Sequence, residues 1–82
     1  MSIFNINELT ESYTIITIHG TREAYIQNFI SITELSESTI RIRSQKEILC
    51  FKGKNLLIEY MNQDELKVTG LIESVQIMEV LH

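Results

Sequence analysis

His19, Cys50 and His82 are the side chains best suited to metal or nucleophilic chemistry, and their spacing serves neither. A zinc centre takes three or four ligands and is commonly anchored by a short-spaced pair such as Cys-x-x-Cys or His-x-x-x-His. No such pair occurs. Cys50 sits between Leu49 and Phe51, where a thiol behaves as a small buried hydrophobe rather than as a nucleophile. The 11 acidic residues are scattered over turns and strand exteriors, so no carboxylate pair is set up for acid–base work. Neither GxGxxG nor GxxxxGK is present to cradle a phosphate, and Gly20, Gly53 and Gly70 read as turn residues needing positive φ. The expectation is a non-enzyme without metal, cofactor or small-molecule substrate.

One group does gather. Arg41, Arg43, Lys46, Lys52 and Lys54 fall within fourteen positions, opposed there only by Glu47. On neighbouring strands they make a positive stripe, able to accept phosphates of nucleic acid or an anionic lipid surface. The plainer reading is a sheet edge kept soluble by its cations. A net charge of −4 and the lack of interleaved aromatic residues argue against nucleic acid.

The elements that would position these residues are strands. The chain has 14 Ile, 8 Leu, 3 Val and 7 Thr, against one Ala and no Pro. Branching at Cβ costs rotamer freedom in a helix and suits a pleated surface, so the composition predicts an all-β chain. At 82 residues it is one domain, and 44% hydrophobic with 22% charged residues excludes wholesale disorder. A lone cysteine allows no intrachain disulfide and fits a reducing compartment. No apolar run approaches the roughly 20 residues that span a bilayer, and the opening MSIFNINELT lacks the basic and apolar regions of a secretory signal. A cytoplasmic protein is expected.

Residues 1–12 form a lead whose Ile3, Phe4, Ile6 and Leu9 fit either a short strand or a helical turn or two. Residues 13–82 read as a single β domain. Its expected strands are 13–19, 24–35, 39–44, 47–52, 55–60, 65–69 and 71–80, a small antiparallel β-meander of about seven. Thr39–Ser44 alternates strictly, with Ile40 and Ile42 inward and Arg41 and Arg43 outward. The parity slip between Ile72 and Val75 predicts a β-bulge near Glu73-Ser74. The spacing of Gly20, Gly53 and Gly70 fits regular hairpins, with a stacked, solenoid-like arrangement as the alternative.

Two strands are apolar on both faces, 48–51 and 56–61, and no amphipathic helix is available to cover the second face. Its cover is either a second layer of the same sheet or another subunit. A homo-oligomer is expected, with Leu49, Phe51, Leu57 and Met61 as the contact set; a membrane partner is the other candidate for that face.

From Tyr13 onward a run of motifs falls in a characteristic order. A strand ends in Gly20, followed by Tyr25-Ile26-Gln27-Asn28, Ile40-Arg41-Ile42, Gly53-Lys54-Asn55-Leu56-x-Ile58 and Leu66-x-Val68-x-Gly70-x-Ile72. Over about residues 13–78 the chain resembles the YabP/YqfC family of bacterial sporulation proteins, closest to its YqfC branch. The resemblance implies a small β-rich, non-enzymatic protein that acts with a membrane protein partner during spore formation. It implies no catalytic residue. Glu8 and Glu11 make the lead acidic where the YqfC branch has a basic one, which argues against membrane recruitment through the lead. An anion-binding module using the Arg41–Lys54 stripe is the second reading.

Overall fold

A computed structural model describes residues 13–80, and every regular element among them is a strand. The order is β1 (Ile15–His19), β2 (Glu23–Gln27), β3 (Phe29–Leu35), β4 (Thr39–Ser44), β5 (Glu47–Met61) and β6 (Glu65–Glu79). All pairings are antiparallel, in one open sheet ordered β1-β2-β6-β5-β4-β3. The all-β expectation holds.

Six strands replace the seven expected because three boundaries fall differently. Asn28 adopts φ 65° and splits 24–35 into β2 and β3. Asn tolerates this left-handed conformation better than most residues with a side chain, and it makes a corner there. β2 and β3 are therefore not neighbours: β2 pairs with β6, while β3 starts the meander β3-β4-β5-β6. Conversely, Gly53 and Gly70 end no strand. They lie inside β5 and β6, each 15 residues long.

These two glycines let the long hairpin bend. The β5–β6 register slips between Lys52 and Gly53, again between Lys54 and Leu57, and once more between Ile58 and Tyr60. At the first slip Lys52 pairs with Ser74 and Gly53 with Ile72, so Glu73 is the extra residue, where the parity argument put a bulge. At the second, Asn55 turns to φ 54° and its carbonyl approaches Gly70, which has φ 124°. Gly53 needs space rather than positive φ: a Cβ there would lie 1.8 Å from the carbonyl oxygen of Leu71.

Bulges leave backbone groups without their regular ladder partners, and buried ones must be satisfied elsewhere. Two of the tight turns supply acceptors. Gly53 N donates to Ser38 O (3.1 Å), Leu56 N to Glu37 O (2.8 Å) and Ile72 N to Thr21 O (2.7 Å). Thus the β1–β2 and β3–β4 turns both clasp the bend.

The bend divides the sheet into halves. One holds β1, β2, the start of β6 and the end of β5; the other holds β3, β4, the start of β5 and the end of β6. Ala24, Ile26, Leu56, Leu66 and Val68 from the first half join Ile40, Ile42, Leu49, Phe51 and Ile72 in one buried cluster. With no helix among the described residues, side chains can vanish from water this completely only if the sheet covers itself. The second layer is the chain's own. Far from the bend, Thr14 Oγ1 donates to Glu47 Oε1 (2.9 Å), tying the entry of β1 to the β4–β5 turn. Ser44, the buried polar residue there, has its Oγ donating to Glu47 O (2.9 Å) and accepting from Glu47 N (3.0 Å).

Candidate functional site

With the inner faces consumed by the core, the surfaces left for function are the two outer faces and the unpaired strand edges. The outer face of the second half is built from cross-strand rows. Glu34, Arg41, Cys50 and Gln76 form one; Ser31, Arg43, Ile48 and Met78 form the next; Thr39, Lys52 and Ser74 form a third. Strict alternation in β4 aims both arginines outward, so Arg41, Arg43 and Lys52 do share one face.

The stripe is partly committed. The Arg41 guanidinium is ion-paired with Glu34, and its Nη2 lies 3.9 Å from Cys50 Sγ. Arg43 Nε donates to Ser44 O (2.9 Å). Lys46 stands apart in the β4–β5 turn, with its ammonium 5.6 Å from the centre of the Tyr13 ring. Lys52 and Lys54 are exposed. Cys50 points away from the core yet is only 2% exposed, held under this polar row. Leu49 and Phe51, in contrast, face inward and are wholly buried, so the chain's own core occupies that half of the expected contact set. Leu57 (51% exposed) and Met61 (55%) remain open to a partner, but the bulge at Glu59 turns them to opposite sides of β5: Leu57 opposes Thr69 and Met61 opposes the inward-facing Leu66.

The first half carries a network that the chain order hides. Lys67 Nζ lies 2.8 Å from Glu59 Oε2 and 3.3 Å from Glu23 Oε2, with the Tyr25 ring centre at 5.3 Å. Tyr60 donates its hydroxyl to Glu65, and His19 Nδ1 lies 3.5 Å from Glu23. The bond to Glu59 is the main reason the Lys67 ammonium is held above its ordinary pKa. The bond from Lys67 holds the Glu23 carboxyl below its usual range, and the bond to Glu65 pushes the Tyr60 phenol up to about 12. Read along the sequence, these residues look like scattered surface charge. Cross-strand register brings them together: Tyr60 and Tyr25 both oppose Lys67, and Glu59 is the extra residue of the third slip. Two carboxylates on one ammonium, with Glu65 bonded to Tyr60, make this face acidic. Such an array fixes strand register and presents anionic oxygens; it contains no unpaired base aimed at a cavity.

Among the described residues, no cluster of three or more His, Cys, Asp or Glu could hold a metal ion. His82 and the lead at 1–12 lie outside the described residues. The YabP family model matches residues 10–80, which covers most of the chain and all six strands. The chain belongs to the YabP family. That membership suggests a sporulation-related role. No curated protein and no solved structure matches the chain. No helix among the described residues is long and apolar enough to cross a membrane.

Proposed function

We propose that this YabP-family chain, within the YqfC branch, is a non-enzymatic interaction protein of spore formation. It works from the cytoplasm, peripheral to a membrane, through a membrane protein partner. The observation that carries this reading is the exposure of Leu57 and Met61 on the second half of β5, which has β6 on one side and no strand on the other among the described residues. Apolar side chains this exposed suit a partner that covers them with apolar contacts of its own. Family membership supplies the sporulation context.

The test is co-purification from sporulating cells with a multi-pass membrane protein encoded next to this gene. The wild-type chain should retain that protein through detergent extraction. The Leu57→Glu/Met61→Glu variant should lose it while keeping its circular dichroism and melting temperature. Retention by the variant refutes the assigned surface, and failure of the wild type refutes the partnership.

The shared outward face of Arg41, Arg43 and Lys52 favours a second reading, an anion-binding module. Binding to DNA, RNA or anionic liposomes that weakens steeply with salt would establish it. The pairing of Arg41 with Glu34 leaves fewer free cations for this role than the sequence offers.

A further inference from the structure

The open sheet leaves four strand edges without a neighbour among the described residues: β1, β3, the second half of β5 and the second half of β6. Exposed edges invite pairing with other chains, and proteins guard them with bulges, charges or proline. Three of the four are guarded. β3 has two register irregularities and Glu34. The end of β5 has a bulge and Glu59, and the end of β6 has Glu73 and Glu79.

β1 is Ile-Ile-Thr-Ile-His, with no bulge, no carboxylate, no lysine and no proline. Its apolar side chains are also uncovered: Ile15 is 38% and Ile18 44% exposed. Ile18 lies on the core-facing side, opposite the fully buried Ala24, so half of a core position stands open at this edge.

We infer that β1 pairs antiparallel with β1 of a second copy about a two-fold axis through Thr17. The register is self-complementary. Thr17 opposes its own counterpart, Ile16 opposes Ile18, and Ile15 opposes His19, so no like charges meet at neutral pH. Ile16 and Ile18 share the core-facing side of the strand, and their pairing carries the core across the axis. The carboxylates on other edges penalise the same operation there. Centred on Gln76 it sets Glu73 against Glu79, and centred on Glu59 it sets that carboxylate against itself. The β1 contact is isologous and closed: it consumes both β1 edges and stops at two copies. This inference is independent of the sporulation reading and uses a surface distinct from Leu57 and Met61.

Sedimentation and light scattering on the purified full chain provide the test. A dimer of twice the 9.5 kDa chain mass is expected at about 100 µM, within reach of a micromolar contact. Ile18→Lys places a guard on the edge and should give a monomer with an unchanged circular dichroism spectrum. Thr17→Cys puts the only exposed thiol on the axis, because Cys50 is buried, and should form a disulfide-linked dimer on mild oxidation. A wild-type monomer at that concentration overturns the inference. So does a dimer that persists in a folded Ile18→Lys variant, or a dimer in which Thr17→Cys does not cross-link. If Ile18→Lys unfolds, the cross-link alone decides.

Discussion

Adding one methyl group at the bend tests the central claim about the fold. In Gly53→Ala the new Cβ would sit 1.8 Å from Leu71 O, 2.9 Å from Leu71 C and 3.2 Å from Glu73 N, all backbone atoms. Carbon and oxygen in close contact settle near 3.3 Å, so β5 and β6 would have to part by about 1.5 Å. Overpacking of this kind costs about 1–3 kcal/mol, and parting the strands endangers the Gly53–Ser38 hydrogen bond, worth about 1 kcal/mol net. The sum is about 2–4 kcal/mol. At about 4–8 °C per kcal/mol for a domain of this size, the melting temperature should fall by about 8–32 °C. Gly20→Ala is the control: φ is +61° but nothing lies within 4 Å of the new Cβ, so only the left-handed conformation is penalised, by about 1–2 kcal/mol. Thermal melts followed by circular dichroism give both numbers. A Gly53→Ala melt within a few degrees of wild type, or above that of Gly20→Ala, would refute the bend.

Gly70→Ala faces both φ 124° and Asn55 O at 2.4 Å, and should also destabilise by about 2–4 kcal/mol in the same melts. Ser44→Ala removes the buried hydroxyl that Glu47 N and O use, and chemical denaturation should show a loss of about 1–3 kcal/mol. Alkaline titration followed at the tyrosinate band should show one phenol ionising near pH 12, and Tyr60→Phe should remove that late phase. Its raised pKa means the associated stability is intact below pH 10 and is lost as pH climbs toward 12. At the acid end the sign reverses: the lowered pKa of Glu23 gives stability present above the ordinary glutamate range and lost as pH falls through the folded value. Lys67→Met should flatten that acid limb in pH-dependent melts.

What the sequence made legible was whatever depends on alternation. Ile40 and Ile42 were readable as core from parity, and both are fully buried. The slip between Ile72 and Val75 was readable as a bulge because a single extra residue exchanges the two faces of a strand. The glycines misled because positive φ and close approach call for the same residue: Gly53 and Gly70 looked like strand ends and are the means by which strands continue through a bend. The corner at Asn28 gave a weaker signal still, since one Asn inside an apolar run seldom marks a boundary. The Lys67 network was illegible for a different reason. Its members come from four strands, and only the pairing register brings Glu23 to a lysine far along the chain.

The clasp of both turns on the bend of β5 and β6 bears on the order in which the structure can form. β3, β4, β5 and β6 are joined by short turns, so their pairings close small loops and can assemble in sequence. The β1–β2 hairpin can also form locally, but it must find β6 across a much longer stretch, aligning Ala24 with Val68. Docking that hairpin completes the core over Phe51 and lets Thr21 accept from Ile72. Hence substitutions in the β5–β6 hairpin should slow folding, whereas those in β1 and β2 should chiefly hasten unfolding. Until the hairpin docks, the side of β6 that β2 will occupy is one more open edge, and the interval before docking is when the chain is most exposed to pairing with the wrong partner.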